Sequence, residues 1–302
     1  MRIAIAGASG LIGSALATRL RRDGHVISRL VRRPARGPDE ISWDPEGGSV
    51  DLERLDGADA VVNLAGADVG GRRWTDKYKA QIRDSRVRGT GTLAAAVARL
   101  DHKPEVFVVG SAIGYYGATG DAPVDESSPG GSGFLADVVR DWEAAADPAR
   151  DAGIRVVHPR TGLVVSPHGG AWGRLWPIFS LGLGGRLGSG EQWWSFVSLR
   201  DEVSALTFLL QPGAGRPELS GPVNITAPHP VRNAEMTAAM GRLLHRPTFF
   251  AVPGMALKLV LGEFSTEILD SHRVLPARLQ EAGFEFQDPS IDEALAWAHE
   301  QR

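Results

Sequence analysis

The chain has 302 residues, 43% hydrophobic and 23% charged, which suits one large soluble domain or two closely associated ones. Its net charge of −3 argues against a nucleic-acid partner, which would call for a basic surface. With no cysteine and only eight scattered histidines, disulfides, thiolate zinc sites and cysteine nucleophiles are excluded and no metal site is expected.

In chain order, an apolar run (Ile3–Ala6) drops into Gly7, Gly10 and Gly13, and the helical stretch SALATRLRRDG follows. Such a segment reads as a buried strand turning sharply into a helix whose N-terminus is left open. Backbone N–H groups there have no intrahelical partner, and a pyrophosphate is their natural occupant. The spacing is G-x-x-G-x-x-G rather than G-x-G-x-x-G, so the context has to carry the reading. Val26–Val31 is a second strand, ending in Arg32, Arg33 and Pro34. At this distance from the glycines, dinucleotide-binding folds place an acid for NAD or an arginine for the 2′-phosphate of NADP. Two arginines and no acid point to NADP; the other reading is a pair of solvated charges.

Ile41–Trp43 is a short third strand, and the apolar run Ala60–Leu64 ends in small residues that let a ligand approach the backbone. A long helical stretch from Trp74 is broken by Pro104, and Val106–Ala112 supplies another buried strand. This alternation predicts an α/β fold, a parallel sheet with helices on both faces. Gly117–Gly133 reads as loop, the segment from Phe134 as helix, and Ile154–His158 as strand leading into Pro159 and Arg160. From Ser166 the chain turns rich in glycine and tryptophan, then returns to strand and helix near Val197–Leu210 before a final amphipathic helix. The start reads as a strand rather than a signal segment, and no apolar run reaches membrane-spanning length. A cytoplasmic location with no membrane partner is therefore expected.

The ordered segments GASGLIG, NLAGA, GSAIGYYG and PVDESSP, followed by RDEVSALTFLL and PVNITAP, resemble the extended short-chain dehydrogenase/reductase superfamily, also called the NAD-dependent epimerase/dehydratase superfamily. WDPEGG, DSRVRGT, GLGGRLGSGEQWWSFV and VLPARLQEAGFEF are similar to an atypical branch, the "epimerase family proteins", which has its own C-terminal extension. The resemblance implies a Rossmann-type doubly wound sheet holding NADP and a smaller α+β domain closing a substrate cleft. The first domain would span 1–165, with 198–228 returning to it, and the second 166–197 and 229–302. By motif position, Gly7, Ser9, Gly10, Leu11, Ile12 and Gly13 would contact the pyrophosphate and Arg32 the adenosine ribose phosphate. Leu64, Ala65 and Gly66 would line the adenine and ribose channel, with Arg86 and Pro159 over the cofactor's other half. Arg86 also reads as a plain helix-surface charge.

That superfamily normally moves its proton with a Tyr-x-x-x-Lys pair, the lysine lowering the tyrosine's pKa. Here Tyr78, Tyr115 and Tyr116 are followed four residues later by Ile82, Thr119 and Gly120, and Phe134 and Val138 stand where the pair belongs. The candidate catalytic residues are then Tyr116, Tyr115 and Ser111, with Arg86 or Arg160 as a neighbouring cation; packing and backbone satisfaction are the alternatives. Asp125, Glu126 and Asp201 serve either a substrate or a turn or cap. Trp172, Trp176, Trp193 and Trp194 form either a cleft wall for a small-molecule substrate or a domain core or interface, the last fitting a homodimer. The functional expectation is an NADP-dependent oxidoreductase or nucleotide-sugar epimerase-like enzyme without the usual pair. The alternative is a non-catalytic NADPH-binding regulator or scaffold.

Overall fold

Alternating apolar residues on a short first strand start the sheet. β1 (Arg2–Ala6) sends Ile3 and Ile5 to one face and Ala4 and Ala6 to the other, so both faces are covered. In the computed structural model, which describes residues 1–211 and 218–302, the glycine turn leads into α1 (Leu11–Arg22). Residues 212–217, inside the 198–228 stretch expected to return to the first domain, lie outside the described residues. Next come β2 (Val26–Val31), β3 (Glu40–Asp44), β4 (Ser49–Val50), α2 (Leu52–Leu55), β5 (Ala60–Asn63) and α3 (Asp76–Ala98). β6 (Val106–Val109), β7 (Ser111–Ala112), a 3-10 turn over Ile113–Tyr116, α4 (Phe134–Ala144), α5 (Asp147–Asp151) and β8 (Arg155–Thr161) follow.

The main sheet runs β13-β8-β6-β5-β1-β2-β3-β4, with β7 beside β8 and with β13 (Gly221–Ile225) supplied from later in the chain. Every pairing in it is parallel except β3 with β4. The chain leaves β1 towards β2 on one side and resumes at β5 on the other. This reversal makes a crevice above the carboxyl ends of β1 and β5, where doubly wound sheets bind ligands.

Between β8 and β13 lie β9 (Leu163–Val165), α6 (Gly170–Ser180), β10 (Gly185–Leu187), β11 (Trp193–Trp194), β12 (Phe196–Ser198) and α7 (Leu199–Leu210). After β13 come β14 (Val231–Arg232), α8 (Asn233–Leu244), β15 (Phe250–Val252), α9 (Gly254–Leu261), α10 (Ser265–Leu269), α11 (Ala277–Glu281) and α12 (Ile291–Glu300). One face of the sheet packs on α1 and α7 through Leu16, Leu20, Leu206 and Leu209. The other packs on α3, α4 and α5 through Leu93, Val97, Trp142 and Ala149. A third core gathers Trp172, Trp176, Phe179, Trp194, Phe196, Met240 and Leu295 from α6, β11, β12, α8 and α12. The C-terminal stretch is not confined to that third core, because Leu279 and Ala282 at α11 pack into the first. Among the described residues no helix is long and apolar enough to cross a membrane.

Candidate cofactor and substrate site

Three glycines shape the β1–α1 turn, each for a different steric reason. Gly7 has φ +80°, and a Cβ on it would lie 2.6 Å from the Leu64 carbonyl carbon, so the turn hugs the end of β5. A Cβ on Gly13 would sit 2.2 Å from the Gly7 carbonyl oxygen, so α1 packs on β1 only without one. Gly10 differs: it is extended at φ −77°, and an added Cβ would meet only the Gly7 oxygen at 3.3 Å. The space above it is open. Gly10 is also the N-cap of α1, with no side-chain cap and no acid in the first turn, while Arg19, Arg21 and Arg22 crowd the last. Ser9 and Gly10 are exposed and Leu11 and Ile12 partly so, which leaves the positive end of the helix dipole facing outward.

The two arginines ending β2 part company. Arg33 is spent on Glu40, with Nη1 2.7 Å from Oε2 and Nη2 2.7 Å from Oε1, a pairing that with the Arg36 N–H holds the carboxyl down to about 2. Arg32 is exposed and has no hydrogen bond or ion pair among the described residues. Sequence spacing singled out both; only tertiary pairing shows which is free.

At the end of β5, Leu64, Ala65 and Gly66 are held by buried polar groups that sequence reading missed. Asn63 accepts from the Ala65 N–H at 3.1 Å and donates to Thr90 Oγ1 at 3.0 Å. Arg86 lies beneath this loop, not out on a helix surface. Its Nη1 donates to the Ala67 oxygen at 3.0 Å, its guanidinium stands over Trp142, and burial lowers its pKa to about 10. Pro159 is buried within β8 opposite Val223 of β13, away from the glycine turn in the sheet order.

Ser111, Tyr116 and Arg160 are brought together, with a carboxylate that the sequence reading overlooked. Arg160 Nε and Nη2 donate to Glu143 of α4 at 2.8 and 2.9 Å, and Ser111 Oγ donates to the same carboxylate at 2.6 Å. Arg160 Nη1 donates to the Tyr116 hydroxyl at 3.0 Å, which in turn donates to Asn224 Oδ1 at 2.8 Å. Burial pushes the Glu143 carboxyl up, and Arg160 more than reverses this, leaving it below its usual range. Tyr116 is 4% exposed and burial raises its pKa. The signal for Glu143 was available: a charge such as Arg160 inside a buried strand demands a partner. Tyr115 stacks its ring 3.4 Å from Arg160 Cζ and is only partly buried, with no hydrogen bond to its hydroxyl among the described residues.

The other polar candidates have structural partners. Asp125 accepts from the Ser127 N–H and hydroxyl within its own turn. Glu126 accepts from the Asn224 N–H, and Asp201 from those of Gln287 and Asp288. Of the four tryptophans weighed as a cleft wall, Trp172, Trp176 and Trp194 are buried in the third core. Trp193 is partly exposed and held by Asp121 at 2.9 Å.

A cavity of about 200 Å³ has a different tryptophan in its wall, Trp74. Gly114, Gly117 and Phe134 line it from the sheet's carboxyl edge, and Glu267, Asp270 and His272 from the C-terminal segment. Phe134 packs edge-on to Trp74 at 5.0 Å, and Val138 joins the same apolar cluster.

Comparison with known proteins agrees with this architecture. Residues 3–225 match the model of the NAD dependent epimerase/dehydratase family, and residues 252–298 match a domain of unknown function, DUF1731. An epimerase family protein of Mycobacterium bovis is 48% identical over 297 residues, covering 98% of this chain and 97% of that one. The crystal structure of human epimerase family protein SDR39U1 with NADPH superposes with a TM-score of 0.91 at 33% identity, covering all of both chains. A nucleoside-diphosphate sugar epimerase structure from Corynebacterium glutamicum gives 0.80 at 35% identity, over 98% of this chain and 57% of that one. With a Rossmann-type sheet, an open glycine turn at its switch point and a family match over most of its length, the chain belongs to the NAD dependent epimerase/dehydratase family.

Proposed function

We propose that the chain binds NADP(H) across the β1–α1 turn and serves as an oxidoreductase or epimerase-like enzyme on a small cytoplasmic molecule. The observation that carries this reading is the uncapped N-terminus of α1 above Gly10, with the unpaired Arg32 at the end of the neighbouring strand. The fit is steric as well as electrostatic: Gly10 leaves open the space a pyrophosphate needs, and Gly7 and Gly13 close the backbone beneath it. The NADPH in the human relative's crystal structure supports the choice of cofactor.

Ser9, Leu11 and Ile12 offer backbone N–H groups to the pyrophosphate, the Gly10 N–H being donated to the Gly7 oxygen at 2.9 Å, and Arg32 takes the ribose phosphate as a charge-assisted partner. Leu64, Ala65 and Gly66 form the channel floor, braced by Arg86. When bound, the nicotinamide supplies or accepts hydride. Of the three candidate hydroxyls, Ser111 and Tyr116 are spent within the Glu143–Arg160 network, so Tyr115 is the one available to move a proton.

NADPH is expected to raise the melting temperature more than NADH by ligand linkage. Arg32→Ala should weaken NADPH binding by about ten- to a hundred-fold and leave NADH nearly unchanged, as loss of one charged hydrogen-bond partner predicts. A variant that still prefers NADPH would rule out Arg32 as the phosphate ligand.

Phe134 and Val138, set in an apolar cluster where the family's proton-transfer pair would stand, favour a second reading, a NADPH-binding regulator without turnover. The discriminating measurement is turnover across a panel of carbonyl compounds and nucleotide sugars, read as NADPH consumption for net reduction and as the inverted product by NMR for epimerisation, which leaves the cofactor unchanged overall. Where turnover is found, Tyr115→Phe is expected to lower kcat about a hundred-fold. Neither NADPH consumption nor an epimerised product on any member favours the regulator.

A further inference from the structure

The cavity beside Phe134 has an electrostatic character that the cofactor reading does not use. Its charged lining comes from one short segment, Glu263 to His272, and contains three carboxyl groups and no lysine or arginine. Glu263 is neutralised by Lys79 of α3 at 2.7 Å, and the same ammonium lies over the Phe134 ring. Glu267 and Asp270 have no side-chain hydrogen bond or ion pair among the described residues, although both are partly buried. Burial, then Asp270 and Glu263, push Glu267 up to about 7, and burial raises Asp270. Two partly buried, unpaired carboxyls cost stability unless something in the cavity compensates them.

An independent group lines the same wall. His272 has its Nδ1 sealed from solvent and without a hydrogen-bond partner, and burial lowers the ring to about 4, so it is neutral near pH 7. It cannot balance the carboxylates, and its polar edge still lacks a partner. The opposite wall is aromatic and apolar, with Trp74, Phe134 and Leu135.

We propose that this cavity binds the cationic group of a small organic amine between Glu267 and Asp270, with the Trp74 and Phe134 rings covering its apolar part. The same lining repels the pyrophosphate of a nucleotide sugar. This rests on reading the cavity as the substrate side of the proposed NADP site, since both open at the carboxyl edge of the sheet. It narrows the substrate class from any small molecule to a cationic one.

The test is calorimetric titration of the full-length protein, without cofactor, using benzylamine, benzyl alcohol, benzoate and UDP-glucose as probes. Benzylamine is expected to bind about ten-fold or more tighter than the other three, the gain of a charged partner. From pH 6 to 8 its affinity should rise about ten-fold, because the cation binds ionised Glu267 and the amine stays protonated throughout. Burial, then Asp270 and Glu263, set this titration; His272 in the same lining is neutral, and Lys79 is paired with Glu263. Glu267→Gln with Asp270→Asn should abolish the preference while leaving any NADPH-induced melting shift intact. Equal or tighter binding of benzoate or UDP-glucose, no benzylamine heat, or a pH-independent affinity would each overturn the proposal. The pH arm needs only the unsubstituted protein, so a misfolded variant does not remove the test. Benzylamine binding without any NADPH shift would keep the cavity assignment and remove the cofactor reading.

Discussion

Gly10→Val is expected to remove the NADPH-induced rise in melting temperature while the free protein keeps a melting temperature close to that of the original chain. The Gly10 backbone is extended, so a branched residue is conformationally permitted, and its Cβ meets a single backbone oxygen at 3.3 Å. The rest of the side chain must project into the space assigned to the pyrophosphate. With ligand at about a hundred times its Kd, the original protein gains about 2.7 kcal/mol from binding, and the variant should gain none. Gly13→Ala is the matched control with the opposite outcome. Its Cβ would fall 2.2 Å from the Gly7 oxygen, so α1 has to move off β1 and the free protein itself should lose about 1–3 kcal/mol. A Gly10→Val protein that still responds to NADPH would move the cofactor elsewhere.

The second large effect is on folding. Glu143→Ala is expected to destabilise the protein by about 3–5 kcal/mol in urea denaturation, because it leaves the Arg160 guanidinium, 3% exposed, without its counter-charge. The Ser111 hydroxyl loses its acceptor in the same step. Arg160→Met with Glu143→Leu should recover a large part of the loss, since an apolar pair of similar volume avoids the desolvation of both charges. Measured beside the Arg160→Met and Glu143→Leu single variants, this double variant closes a cycle that separates the cost of an orphaned charge from the worth of the pair. Additive single and double effects would show that the two groups do not depend on one another.

These residues also mark where sequence reading worked. The apolar runs Ile3–Ala6, Ala60–Leu64 and Val106–Ala112 cover the central parallel strands β1, β5 and β6, the last run also taking in β7, and the glycine turn falls at the switch point. Periodicity and glycine conformation are local, so they can be read along the chain. The alternatives left open at Arg86 and at the tryptophans depended instead on which face each side chain presents once distant elements pack. Trp172 and Trp176 turned inward because α6 packs with α8 and α12, segments some 60 to 120 residues away in the chain.

The sequence by itself determined the family architecture, the open helix N-terminus and an arginine pair at the position that selects a cofactor. Tertiary structure decided which arginine is free, because Glu40 reaches Arg33 and leaves Arg32 unpaired. It decided that Tyr116 and Ser111 are spent in a buried network, because Glu143 from another helix meets Arg160 between them. It also decided the charge of the cavity, by folding the segment from Glu263 to His272 over Phe134 and Trp74. The common reason is that a strand or turn is set by neighbours in sequence, while the partner of a charge is set by whatever the packed elements bring within reach.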